Sequence, residues 1–271
     1  MAVLKTSIII AFYNRIDFIQ LVLAGFERQS FKEFEIIIAD DGSDEKSLYE
    51  LKEIIKKSSL SIKHVWHEDK GFRKNKILNK AVIESASDYL VFVDGDCIPH
   101  REFTAEHFRN RAEKKCLAGR RVNLSKRITS KLNPEEIKNG FLEKKLVTIL
   151  FDSIFGKTYD AEKGFYIKSQ FVREIINRKK RGLLGSNFSI HKKDLLDING
   201  FDERYDGASV GEDTDIQFRL ELNGVKIESL NNAAIQYHIY HDYQERAMKN
   251  WEIFKSVKKS GIYFTPYGIQ K

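Results

Sequence analysis

Cysteine is scarce in this sequence: Cys97 and Cys116 are the only two among 271 residues. Two thiols build no disulfide framework, so the chain is expected to work with free thiols in a reducing compartment, the cytoplasm. Long apolar runs are lacking too. Those present, such as Ile8-Ile9-Ile10-Ala11-Phe12, fall far short of the roughly 20 residues that a membrane span needs. The N-terminus has no secretory-signal layout, because its brief apolar run enters Tyr13-Asn14-Arg15 rather than a small-residue cleavage site. There is no internal repeat, no low-complexity linker and no nucleic-acid motif, which argues for one continuous domain with no nucleic-acid partner. Charge, by contrast, is plentiful. Charged residues make up 31% of the chain and leave a net +7. Such a surface suits an anionic membrane face or a phosphate-bearing substrate, or does no more than aid solubility. With 42% hydrophobic residues, the chain can bury a substantial core.

The first hundred residues alternate between two periodicities. Ser7–Phe12, Glu35–Ala39, Ser61–His67 and Leu90–Val93 are short, apolar and rich in β-branched residues, and read as strands. Between them, Asp17–Arg28, Ser47–Lys57 and Lys74–Ser85 place apolar residues at helical spacing. Strands alternating with helices predict an α/β fold with a doubly wound, mostly parallel sheet flanked by helices. Ligands of such sheets bind beyond the carboxyl ends of the strands. The second half is less regular. Arg101–Lys114 reads as a helix, Cys116–Leu124 as a strand, and Pro134–Phe155 as one or two amphipathic helices. Tyr159–Gly182 is basic and hard to assign, with a loop expected over residues 177–182. Asp213–Asn223 reads as a helix and Lys226–Gln236 as a strand. The expected organisation is one domain over residues 1–241. A basic, aromatic tail follows over 242–271, packed on the domain or extending from it.

Two acidic turns fall at predicted strand ends: Asp40-Asp41-Gly42-Ser43 and Asp94-Gly95-Asp96. Two carboxylates flanking one glycine can bind a hard cation, and that cation can hold phosphate oxygens. Gly95 keeps the turn tight and lets a ligand approach the backbone. A solvated Asp-Gly turn would carry the same residues.

Four segments occur in order: Ser7 to Arg15, Ile38-Ala39-Asp40-Asp41-Gly42-Ser43, Val93-Asp94-Gly95-Asp96, and Asn199-Gly200-Phe201-Asp202 leading to Gly211-Glu212-Asp213. Together they resemble the family 2 glycosyltransferases of GT-A fold, over about Ser7 to His241. His67-Glu68-Asp69-Lys70-Gly71-Phe72-Arg73 and the Gly211-Glu212-Asp213 ending look most like the bacterial chondroitin-polymerase-type and β-1,4-galactosyltransferase-like branch. The resemblance implies an inverting transfer of a sugar from a nucleotide donor to an acceptor hydroxyl.

It also implies a nucleotide-binding half over residues 1–100, an acceptor-binding half over 101–241, and roles for single residues. Asp40 and Asp41 would bind base and ribose, since carboxylates accept from a uracil N–H and from hydroxyls. Ala11, Tyr13 and Asn14 match the loop that cradles the nucleotide. Asp69 and Lys76 would border the donor. The related pattern has an Arg-Asn pair where this chain has Leu78-Asn79, and Lys76 is the candidate for the missing phosphate-facing charge. Asp94 and Asp96 match the metal motif, the second acid binding the ion and the first lying near ribose. His238 completes the metal shell in the resembled branch, with His241 as its rival. A mixed carboxylate–imidazole set leans to Mn²⁺ over Mg²⁺. Asp213 would be the general base, with Glu212 orienting the acceptor. An acidic cluster complementing a helix dipole would look the same. Gly185 to Ser189 would contact donor sugar or acceptor. The branch's Gly-Trp-Gly-like stretch is replaced by Gly207-Ala208-Ser209-Val210, so acceptor identity does not carry over.

The expected activity is a metal-dependent, inverting transfer of a hexose or N-acetylhexosamine from a UDP-sugar to a surface polysaccharide or lipopolysaccharide glycan. The basic loop containing Lys179, Lys180 and Arg181, with the tail, is expected to hold the enzyme near an anionic inner membrane face. A sugar nucleotidyltransferase and a non-catalytic nucleotide-sugar-binding module are the rival readings.

Overall fold

The computed structural model describes residues 4–176, 182–207, 212–242 and 249–270. Among these residues ten strands form two sheets: β1 (Thr6–Phe12), β2 (Phe34–Asp40), β3 (Ile62–Trp66), β4 (Tyr89–Asp94), β5 (Cys97–Pro99), β6 (Lys115–Ala118), β7 (Arg120–Asn123), β8 (Asn187–His191), β9 (Lys226–Ser229) and β10 (Ile235–His238). The seven-stranded sheet runs in the order β3-β2-β1-β4-β8-β6-β9. All its pairs are parallel except those that β8 makes with β4 and β6. A second sheet of three strands runs β5-β10-β7.

The first four strands arise as the periodicity predicts. β1 is buried along nearly all its length because helices cover both faces of the sheet, so an unbroken Ile8-Ile9-Ile10 run is favoured over alternation. Successive side chains point to opposite faces. Ile8 and Ile10 accordingly join one core with Ile36, Ile38 and the apolar side of α1 (Ile16–Glu27). Ile9 joins the other with Ile37, Ala39 and the buried Ile77 and Ala81 of α3 (Lys74–Glu84). α2 (Glu45–Lys57) starts at Asp44, whose side chain accepts from Ser47 N, satisfying one orphan donor of the first turn.

The second half departs from the predicted elements. Cys116–Leu124 is two strands, not one. β6 stays in the large sheet, and at Gly119 the chain leaves for β7 in the small sheet; a Cβ at Gly119 would collide with Asn187 Oδ1 and Ala234 O. Lys226–Gln236 divides in the same way into β9 and β10, so the two runs cross between sheets together, β6 beside β9 and β7 beside β10. Pro134–Phe155 is three helices, Pro134–Lys138, Phe141–Lys144 and Leu146–Phe155, with Gly140 at positive φ between the first two. Arg101–Lys114 holds only the short Phe103–Arg109 helix. Residues 177–181, with Lys179, Lys180 and Arg181, lie outside the described residues, as do 208–211 and 243–248.

The tail folds back onto the domain. After the Lys249–Ser260 helix, Asn199 Nδ2 donates to the carbonyls of Thr265 (2.7 Å) and Gln270 (2.9 Å), and Thr265 Oγ1 donates to Asp202 Oδ2 (2.8 Å). The same Asn199-Gly200-Phe201-Asp202 turn is gripped from α3, where Asn79 donates to Phe201 O and accepts from Phe201 N, each at 2.8 Å. Among the described residues no helix is long and apolar enough to cross a membrane.

Candidate active site

The carboxyl ends of β1 to β4 meet at one edge, and the turns that follow them interlock. Asn14, at φ 55°, donates its backbone N–H to Ser43 Oγ (2.9 Å) and accepts from Asp44 N through Oδ1 (2.9 Å). Gly42 sits at φ 98°, and a Cβ there would lie 2.6 Å from Asp69 Cα, so only glycine lets the second turn touch the third. Tyr13, half exposed, donates its hydroxyl to Asp69 Oδ2 (3.1 Å). Asp69 Oδ1 in turn accepts from Gly71 N (2.9 Å).

The two acids of the Asp40 turn serve the fold first. Asp40 has no exposed surface; its oxygens take Ser43 N (2.8 Å) and His64 Nε2 (2.9 Å). Asp40, expected to contact base or ribose, is fully buried beneath its own turn and holds that turn in place. Asp41 retains a small exposed surface and is bonded to His67 Nε2 (2.7 Å) and Arg73 N (2.7 Å). Burial pushes the Asp41 carboxyl up and the His67 imidazole down, each against the hydrogen bond that joins them.

The Asp94-Gly95-Asp96 turn closes β4. Gly95 N donates to Ala11 O (2.8 Å), and a Cβ at Gly95 would stand 2.8 Å from that oxygen. The glycine thus locks the turn to the end of β1. Asp94 and Asp96 then part company. Asp94 Oδ1 accepts from Lys74 Nζ at 2.6 Å, a mostly buried ion pair. Asp96 Oδ2 faces two imidazoles, His238 Nε2 at 3.4 Å and His241 Nε2 at 3.2 Å. Strand register explains this meeting: β10 runs antiparallel to β5 with His238 opposite Cys97, and Ile239 N donates to Asp96 O (2.9 Å).

Electrostatics favour a charged Asp96. Burial pushes its carboxyl up, but the bonds to His238 and His241 outweigh burial and hold it well below the usual range. The same contact raises His241 above its ordinary value. Arg121, on β7, adds a cation behind the acids. Burial opposes its charge, and the neighbouring Cys97, Asp94 and Asp96 outweigh burial. The Cys97 thiol, kept protonated by burial, donates to Asp96 Oδ1 (3.1 Å).

One ligand atom each from Asp96, His238 and His241 lies within 4.8 Å of the others. One carboxylate with two imidazoles is a donor set that fits a divalent first-row cation, and three converging side chains leave room for substrate oxygens. Asp94, matched to the metal motif by sequence, is not one of these three and pairs with Lys74.

Asp213 stands in the first turn of the Glu212–Leu222 helix, where its Oδ1 accepts from Thr214 N (2.6 Å) and Thr214 Oγ1 (3.1 Å). Glu212 opens that helix, and its side chain lies outside the described residues, as do Gly211 and residues 208–210. Asp215, one turn in, is buried against Arg219 (2.6 Å) and Tyr205. Lys76 is half-buried on α3, and the ammonium that reaches the acidic turn is that of Lys74. Asn187 to Ser189, expected to touch substrate, are the buried start of β8, where His107 bonds both Asn187 Oδ1 (3.0 Å) and Ser189 Oγ (2.7 Å). Sequence reading missed Lys74, Arg121 and the exposed ring of Trp66, whose Nε1 donates to Ser43 O (3.3 Å). A lysine at the start of the helix preceding an acidic strand end was the signal available for Lys74.

The family model described as glycosyl transferase family 2 matches residues 7–173. A second model, the N-terminal domain of galactosyltransferase, matches residues 173–242. Chondroitin synthase of Escherichia coli is 27% identical over 248 residues, spanning 86% of this chain but only 34% of the relative. Among solved structures, TarS 1–349 of S. aureus with UDP-GlcNAc aligns at TM-score 0.61 and 18% identity, over 93% of this chain and 65% of that one. GalNAc-T7 with UDP, GalNAc and Mn²⁺ aligns at TM-score 0.67 and 14% identity, over 95% and 48%. At these identities the structural likeness establishes the fold, which is that of GT-A glycosyltransferases.

Proposed function

This chain belongs to glycosyl transferase family 2, and on that premise we propose that it transfers a hexose or N-acetylhexosamine from a UDP-sugar to a glycan hydroxyl, with inversion and with a divalent cation, Mn²⁺ rather than Mg²⁺. The observation that carries this reading is the convergence of Asp96, His238 and His241 at the strand edge where the Asp94–Lys74 pair also lies. Both relatives crystallised with UDP or a UDP-sugar, and the Mn²⁺ held in one of them, support the choice of donor and ion.

The proposed roles are these. Ala11, Tyr13, Asn14, Asp41 and Asp69 frame the nucleotide, while Asp40 sets the turn beneath it. The exposed faces of Tyr13 and Trp66 suit stacking on a base. Asp96, His238 and His241 hold the cation, which when bound neutralises charge on the diphosphate leaving group. Asp94, oriented by Lys74, faces the ribose, and Gly95 allows close approach. Asp213 takes the proton of the acceptor hydroxyl as its oxygen attacks C1 and the C1–O bond to UDP breaks. Thr214 occupies Oδ1, so Oδ2 is the oxygen offered. Glu212 orients the acceptor. The acceptor class proposed is a surface polysaccharide or lipopolysaccharide glycan.

The test is product analysis with purified chain, UDP-sugars and Mn²⁺. Release of free UDP, reduced to background by Asp213→Asn, supports transfer. Release of pyrophosphate when UTP and a sugar 1-phosphate are supplied in place of the UDP-sugar, or donor binding without turnover by either protein, would overturn it.

A further inference from the structure

The Leu146–Phe155 helix packs by one side only. Ile149 is fully buried beneath it, and Asp152 is anchored to Arg127 Nε (2.8 Å) and Thr158 Oγ1 (2.5 Å). On the outer side Val147, Phe151, Ile154 and Phe155 are 64%, 59%, 69% and 84% exposed. Their spacing of i, i+4, i+7 and i+8 puts them on one face. Glycosyl transfer at the Asp96 trio uses none of them.

Charge defines what this face fits. The only acid of the helix is Asp152, which is buried. Exposed lysines bracket the apolar stripe, Lys144 and Lys145 before it and Lys157 after it. Protein interfaces are depleted in lysine around an apolar core. An apolar face with ammonium groups at its ends matches the boundary between acyl chains and anionic headgroups. At 10 residues, or about 15 Å of rise, the helix is far too short to cross a bilayer and the right shape to lie in its surface. The Gln170–Ile176 helix presents a second apolar turn of this kind, with Phe171, Ile175 and Ile176 exposed while Arg173 turns inward to Glu106 (3.0 Å).

We propose that the Leu146–Phe155 helix is a docking surface for an anionic lipid bilayer, inserting Phe151, Ile154 and Phe155 to the depth of the acyl boundary while Lys144, Lys145 and Lys157 contact headgroup phosphates. The contact is in-plane, reversible and sensitive to salt. It is independent of the donor chemistry, so its failure and that of the proposed reaction are separately visible.

The experiment is sedimentation of the full chain with phosphatidylcholine vesicles, either neutral or containing about 30 mol% phosphatidylglycerol. The chain is expected to pellet with the anionic vesicles and to be released by high salt. Phe151→Ser with Phe155→Ser is expected to weaken partition by about tenfold or more. Val147→Ser with Ile154→Ser supplies an independent pair expected to act in the same direction. Lys144→Glu with Lys145→Glu is expected to remove the preference for anionic over neutral vesicles. UDP release from soluble donor is expected to be unchanged in all three. The proposal is overturned if the wild-type chain ignores anionic vesicles, if both apolar pairs of substitutions leave partition intact, or if the wild type is a dimer that those substitutions dissociate without any vesicle binding.

Discussion

The two halves of this chain build one site by different means. In residues 6–99 each contributor is local: a buried parallel strand ends, and the next residues form the candidate acidic turn, as at Asp40-Asp41 and Asp94-Gly95-Asp96. In the second half the contributors arrive by pairing. His238 reaches Asp96 because β10 lies antiparallel to β5 and parallel to β7, with more than a hundred residues of chain between the partners. The first half thus owes its geometry to strand ends and the second to register. Register is the more fragile device, since a slip of one residue turns a side chain to the opposite face.

Substitutions at the meeting point of the two halves should have the largest effect. Asp96→Asn is expected to lower kcat/KM for UDP release by about a thousandfold while the melting temperature stays near wild type. Near-normal turnover would place the centre elsewhere. Next comes Asp213→Asn, expected to cost about a hundredfold or more in kcat with little change in UDP affinity. A rise in KM at constant kcat would make Asp213 a binding residue instead.

The strand ends of the first half were legible because strands covered on both faces must be continuously apolar, which marks their ends sharply in sequence. β5 is only three residues long and leaves no such mark. Gly119 and the turn before β10 move the chain between sheets within runs only nine and eleven residues long, so each pair of short strands read as one. His241 stood as a rival to His238, whereas the fold brings both to the same oxygen. Asp40 and Asp41 look equivalent in sequence, and only packing separates the fully buried one from its neighbour. Choosing Lys74 over Lys76 required the rotation of α3 relative to β4, which is a tertiary quantity.

Those distinctions yield smaller, sharper tests. His241→Ala is expected to weaken Mn²⁺ binding by about ten- to a hundredfold. In the wild type, Asp96 raises His241 above its ordinary value, and a metal needs the neutral imidazole. Affinity should therefore be full above the His241 pKa and be lost as pH falls through it, with a shallower pH dependence in the variant. An identical pH profile would remove His241 from the shell. Lys74→Met is expected to cost about tenfold in kcat/KM through loss of a charge-assisted bond, against less than about twofold for Lys76→Met, whose half-buried side chain does not reach the acidic turn. Equal effects would erase that distinction. Smallest for activity is Asn199→Ala, which removes the clasp on the tail. It is expected to lower unfolding free energy by about 2 kcal/mol with kcat/KM unchanged. A matching loss of activity would tie the tail to the site.

Calorimetric titration of Mn²⁺ into the UDP-bound chain tests the shared centre most directly. A single site is predicted, weakened by His238→Ala and by His241→Ala and abolished by Asp96→Asn. Undiminished Mn²⁺ affinity in all three variants would contradict it.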